Sequence, residues 1–146
     1  MATASLADIS TFLATEFPLS RVEVLAVGKQ SATLRQPIGT AQLRPGGTVS
    51  GPVMMELADV ALYVAILGEI GIVPLTVTTS LNFNFLRKPR ADRALVATCK
   101  LIKLGRTLAV GEVSICSEGS DATVAHAVGT YAIPPNAQGA TVSGSG

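Results

Sequence analysis

The chain has 146 residues, 48% of them hydrophobic and 14% charged, with a formal net charge of +1. That length buries a real core without disulfide or metal staples, and so little charge over so much apolar surface favours an oligomer over a lone monomer. Two tyrosines, four phenylalanines and no tryptophan leave little to stack on bases, which argues against nucleic acid as a partner.

Residues 5–17 place Leu6, Ile9, Phe12, Leu13 and Phe17 near a helical repeat, with Ser5 as N-cap and Pro18 as stop. Residues 21–28 alternate as a strand, and 31–36 read as its hairpin partner. A loop rich in Gly and Pro runs from Arg44 to Pro52. From Gly51 to Leu67 the spacing predicts a helix, with Ser50 or Gly51 as cap and Pro52 in its first turn. Gly68 and Gly71 to Pro74 then make a turn. Segments 75–86, 94–103, 107–116 and 122–133 read as four strands with short connections, an antiparallel meander. The tail 137–146 is expected to be disordered, leaving one domain over 1–136. One apolar helix against one antiparallel sheet is an α+β two-layer arrangement.

The segment 51–67 has no polar face, so protein must enclose it, yet it carries Glu56 and Asp59. A carboxylate there costs several kcal/mol, on the order expected for buried charge, unless it is paired, protonated or solvated by a site. Asp59 is therefore the first candidate for chemistry. It can also be a structural carboxylate paired with an arginine such as Arg44. Glu56, three residues earlier on nearly the same face, is either a solvent-facing acid or an alternative working one.

Seven of the eleven basic residues fall between Arg87 and Arg106, with Asp92 the only acid among them. This stretch reads either as an anion-binding face or as ordinary solvated turns. Cys99 and Cys116 lack CxxC spacing and read as free strand thiols of a reducing compartment, and no metal site is expected. Neither a secretory leader nor a membrane span is seen, so the chain is expected to be cytoplasmic. His126, the single histidine, lies mid-strand, where such a residue is usually structural.

The order of elements resembles the hotdog-fold acyl-CoA thioesterases, closest to the phenylacetate-degradation and Arthrobacter-type hydroxybenzoyl-CoA types. The residues that carry it are Gly51, Leu57-Ala58-Asp59, the strand from Thr78 to Arg87, the turn from Leu104 to Thr107, and Gly129-Thr130-Tyr131. The resemblance implies a long central helix wrapped by a curved antiparallel sheet. It also implies an acyl-CoA substrate, no cofactor beyond the coenzyme A of that substrate, and a homodimer that pairs into a dimer of dimers. The family's helix-start motif usually reads His-Gly-Gly, with an upstream Asn or Gln. Here Ser50 stands at the His position, Pro52 at the second Gly and Arg44 at the amide. The family's acid falls on Asp59 and its helper hydroxyl on Thr78.

Hydrolysis needs the thioester carbonyl polarised, its carbon attacked and the thiolate released. The Gly51 amide at a helix N-terminus suits the first task. Asp59 suits the second, as base on water or as nucleophile, with Thr78 holding it or the water. Gly51 and Asp59 are separated by roughly 12 Å of helix. They therefore meet on one thioester only across an antiparallel pair of helices, in a twofold dimer. Arg87, Lys88, Arg90, Lys103 and Arg106 are candidates for the nucleotide end of coenzyme A, and Met55 and Tyr63 for the acyl pocket. The chain thus reads as an acyl-CoA thioesterase. The alternatives are a non-catalytic acyl-CoA or fatty-acyl binding protein, which Ser50 in place of His favours, and a hydratase-like enzyme using His126. An acyl-carrier protein would suit the basic stretch as well as coenzyme A does.

Overall fold

The computed structural model describes residues 4–135; the tail expected over 137–146 lies outside the described residues. Helix α1 (Leu6–Glu16) starts in a capping box, in which Ser5 Oγ accepts from the Asp8 amide and the Asp8 carboxylate accepts from the Ser5 amide. Strands β1 (Glu23–Gly28) and β2 (Ser31–Gln36) form the expected hairpin. The Gly- and Pro-rich loop holds a two-residue ribbon, β3 (Leu43–Arg44) with β4 (Thr48–Val49), too short to show as a periodic pattern.

Helix α2 (Gly51–Ile70) passes through Gly68, where a turn was expected, and ends at Gly71 with φ 92°. The reason Gly68 is tolerated is contact: a Cβ there would lie 2.6 Å from Val27 Cγ1 of β1. A side chain would push the helix off the sheet, and that close packing outweighs the propensity cost of a helical glycine. Residues 61–68 are all buried, as a helix without a polar face requires.

The remaining strands are β5 (Val77–Phe85), β6 (Leu95–Leu104), β7 (Leu108–Ser117) and β8 (Thr123–Ala132). The six-stranded antiparallel sheet has the order β1-β2-β6-β7-β8-β5, and α2 touches all six strands. The meander holds for β6, β7 and β8 but not for β5, which pairs with β8 at the far edge rather than with β6. The link from 86 to 94 explains why. Its amides bond to the ends of other strands: Leu86 and Arg87 to Val124 O, and Arg90 to Ser117 Oγ. The link therefore crosses the end of the sheet instead of turning back as a hairpin.

Side chains alternate along β6 and β7, so Leu95, Ala97, Cys99, Val113 and Ile115 face α2. Burial pushes the Cys99 thiol up to about 12, which leaves it inert. Edge strand β5 differs, being exposed at most positions on both faces. Val77, Phe85 and Leu86 are each about half exposed. An unpaired edge carrying apolar side chains is an unfinished surface.

Candidate active site

Asp59 sits in the third turn of α2, half-buried, where the helix crosses the start of β5 and the end of β8. Thr78 and Tyr131 are direct partners in the β5–β8 ladder, so their side chains stand together on the face toward the helix. Thr78 Oγ1 donates to Asp59 Oδ1 at 2.7 Å, and Tyr131 Oη donates to the same oxygen at 2.7 Å. Tyr131 is buried, and its ring stacks on Tyr63 with centroids 6.1 Å apart. Burial first, then the bond to Asp59, hold the Tyr131 phenol well above its usual pKa, so it stays a donor at neutral pH.

A cavity of about 700 Å³ opens in front of this group. The end of α1 and the loop after it supply Leu13, Phe17 and Leu19, and α2 supplies Val53, Val60 and Tyr63. Val77 and Tyr131 close the sheet side. Asp59, Thr78, Glu56, Gln36, Gln42 and Thr76 bring polar atoms to the wall, and Glu16, Ser20 and Arg21 stand at the α1 side, with no ion pair between Arg21 and Asp59 among the described residues. Thr76 Oγ1 is buried there without a hydrogen-bond partner among the described residues. An apolar pocket with a few convergent polar groups is the usual form of a small-molecule site.

The structure brings Asp59, Glu56, Thr78 and Tyr63 to one cavity and leaves the other sequence candidates elsewhere. Gly51, Ser50, Arg44 and Met55 do not line it. The Gly51 end of α2 packs on Phe85 instead, at the opposite end of β5 from Thr78. Ser50 makes no side-chain cap, which leaves the first amides of α2 to other partners. Arg44 is exposed, and Asp59 forms no ion pair with it among the described residues. Tyr63 donates to Pro74 O at 3.2 Å. Its phenol is raised by burial and then by the charge of Glu16.

The basic stretch is divided within one subunit. Arg87, Lys88 and Arg90 lie at the end of the sheet where β5 finishes and β6 begins. Lys103, near the end of β6, and Arg106, in the turn after it, lie toward the other end of the sheet, the end at which Thr78 and Tyr131 hold Asp59. Arg90 is engaged by Asp92 at 2.7 Å and holds that carboxyl down to about 2. His126 pairs with Glu112 at 3.1 Å between buried Ala125 and Ala127, so it faces away from α2 and is not in the cavity.

Tyr131 is the site residue that sequence reasoning did not select. It appeared only as part of a terminal strand motif, and a tyrosine at an alternating position reads as core. The chain has just two tyrosines, and they stack on each other at the wall of the cavity.

Among the described residues no helix is long and apolar enough to cross a membrane. No match was found among curated proteins. A candidate thioesterase from Silicibacter sp. TM1040 is 42% identical, with 92% of this chain and 96% of that one covered at a TM-score of 0.84. Zebra fish thioesterase superfamily member 2 is 21% identical, covering 90% and 100% at 0.80. The Escherichia coli PaaI protein of the phenylacetic acid degradation operon is 20% identical, covering 87% and 92% at 0.71. The last two likenesses speak for the hotdog fold alone. Residues 46–124, which contain α2 with Asp59 and β5 with Thr78 and end before Tyr131, match the thioesterase superfamily, and the chain belongs to that family.

Proposed function

We propose that the protein hydrolyses acyl-CoA thioesters as a homodimer, with Asp59 as the attacking group or its base. One observation carries this reading: a half-buried carboxylate with no cationic partner among the described residues, held by two hydroxyl donors at the wall of an apolar cavity. A structural carboxylate in such a helix would be expected to have a counter-charge.

In the base route Asp59 takes a proton from water as the water oxygen bonds to the acyl carbon. The C–S bond then breaks, and the leaving thiolate recovers the proton. In the nucleophile route the carboxylate bonds to the carbon, the thiolate leaves, and water hydrolyses the resulting anhydride. Either route gives free acid and thiol without metal or redox cofactor.

The carbonyl oxygen needs a donor, and the Gly51 amide has the right character at the wrong end of the same helix. A twofold that pairs β5 with its copy would cover the exposed edge and lay the two α2 helices antiparallel. The partner's Gly51 would then approach Asp59. The same operation carries the partner's Arg87 and Lys88 toward Lys103 and Arg106, reuniting the divided basic stretch as a site for the coenzyme A phosphates. Pairing of two such dimers is the further assembly expected.

The experiment is free-thiol release from short, long and aromatic acyl-CoAs, run beside thermal shift with the same compounds. Hydrolysis of at least one class is the expected result. Stabilisation by acyl-CoA with no thiol release would instead establish a binding protein, the outcome that Ser50 in place of a histidine favours.

A further inference from the structure

The hydrogen bonds around Asp59 are unevenly divided between its two oxygens. Thr78 and Tyr131 both donate to Oδ1, and Oδ2 has no bond from any described residue. A carboxylate oxygen has two lone-pair sites, so two donors saturate Oδ1 and leave the open sites on Oδ2. The Tyr131 hydroxyl also lies 2.8 Å from the main-chain carbonyl oxygen of Asp59. Its single hydrogen is shared between, or alternates between, these two acceptors. In either case the phenol touches both the side chain and the backbone of one residue, which fixes the rotation of the carboxylate.

The clamp itself cannot easily move. Tyr131 is 3% exposed, is paired in register with Thr78 across the β5–β8 ladder, and is stacked on Tyr63. We propose that Tyr131 is a positioning residue which, with Thr78, occupies Oδ1 of Asp59 and so presents Oδ2 to the cavity as the working oxygen. This inference rests on the thioesterase reading above, and it applies equally whether Oδ2 takes a proton from water or meets the acyl carbon.

Tyr131→Phe removes one oxygen and keeps the ring and its stack. Kinetics on the best thioester substrate should show kcat reduced about ten- to hundredfold, the loss expected for one bond to a charged group. KM, and the Kd of a non-hydrolysable thioether analogue, should stay within about twofold, because nothing that packs against the acyl chain has changed. Thr78→Val removes the other donor to the same oxygen. The double variant should lose less than the product of the two single losses, since both act through one carboxylate. If Tyr131→Phe is not folded at the assay temperature, Thr78→Val alone decides: unchanged kcat overturns the anchoring of Oδ1.

Three further results would overturn the proposal. Wild-type kcat in Tyr131→Phe, with Asp59→Asn inactive, removes the role of Tyr131 and leaves the thioesterase reading standing. Parallel loss of kcat and analogue binding makes the Tyr131 hydroxyl a group that binds substrate, not one that positions Asp59. A wild-type protein inert toward every thioester removes both readings together.

Discussion

Asp59→Asn is expected to lose thioester hydrolysis by between about a hundredfold and ten-thousandfold, the range for removing a positioned acid–base group. The structure explains why the loss should be chemical and not conformational. An asparagine keeps an oxygen that accepts from Thr78 and Tyr131, so both donors remain satisfied. It also removes a charge from a half-buried position on α2, which relieves desolvation. Thiol release and melting temperature measured on one preparation check this. Inactivity with an unchanged or slightly higher melting temperature is expected. Full activity would move the role of acid to Glu56 or Glu16, the other carboxylates that line the same cavity.

The second large effect is on stability and centres on Leu62. This side chain is fully buried under the sheet, where Gly111 and Gly129 face each other across β7 and β8. A Cβ would lie 2.7 Å from Leu62 Cδ2 at Gly111 and 2.5 Å from Leu62 Cδ1 at Gly129. The two glycines thus form a socket that lets α2 approach the sheet. Gly129→Ala should cost about 1–3 kcal/mol by overpacking. Leu62→Ala should cost about 2–5 kcal/mol by leaving a cavity. Combined, the new methyl fills part of the space that leucine vacates, so the double variant should be more stable than the sum of the two losses allows. Denaturant unfolding of the four proteins at one concentration measures this coupling. Strict additivity would mean that the helix and sheet do not meet at this socket.

How much of this was legible in the sequence depends on what kind of information each feature carries. The central helix was legible because two carboxylates interrupt an otherwise apolar run, and that conflict can be read without coordinates. Strand positions were legible from alternation to within a few residues. Strand order was not: alternation tells which residues form β5 but not that it pairs with β8, its link crossing the sheet end to reach β6. Gly68 misled for a related reason, since its value lies in contact with Val27, forty-one residues away in sequence.

The candidate site was legible in part. Asp59 and Thr78 meet as expected, through a bond of 2.7 Å. Tyr131 joins them from seventy-two residues away, a proximity that no local pattern encodes. The basic stretch was continuous only along the chain. Most of the ten-residue strand β6 lies between Arg90 at one end and Lys103 and Arg106 at the other.

The claim at the centre of this account is that Asp59 of one subunit and the helix start of the other serve the same thioester. Mixed dimers test it most directly. Gly51→Pro deletes the amide hydrogen in a first-turn position that tolerates proline, and it should be inactive on its own, as Asp59→Asn should be. Co-expressed in equal amounts, the two variants form heterodimers in which one site has both an intact Asp59 and an intact Gly51. Thiol release should then recover to about a quarter of the wild-type value, because half of the dimers are mixed and each has one working site. Activity that stays at the level of the two parents, in purified heterodimers, would contradict a shared site.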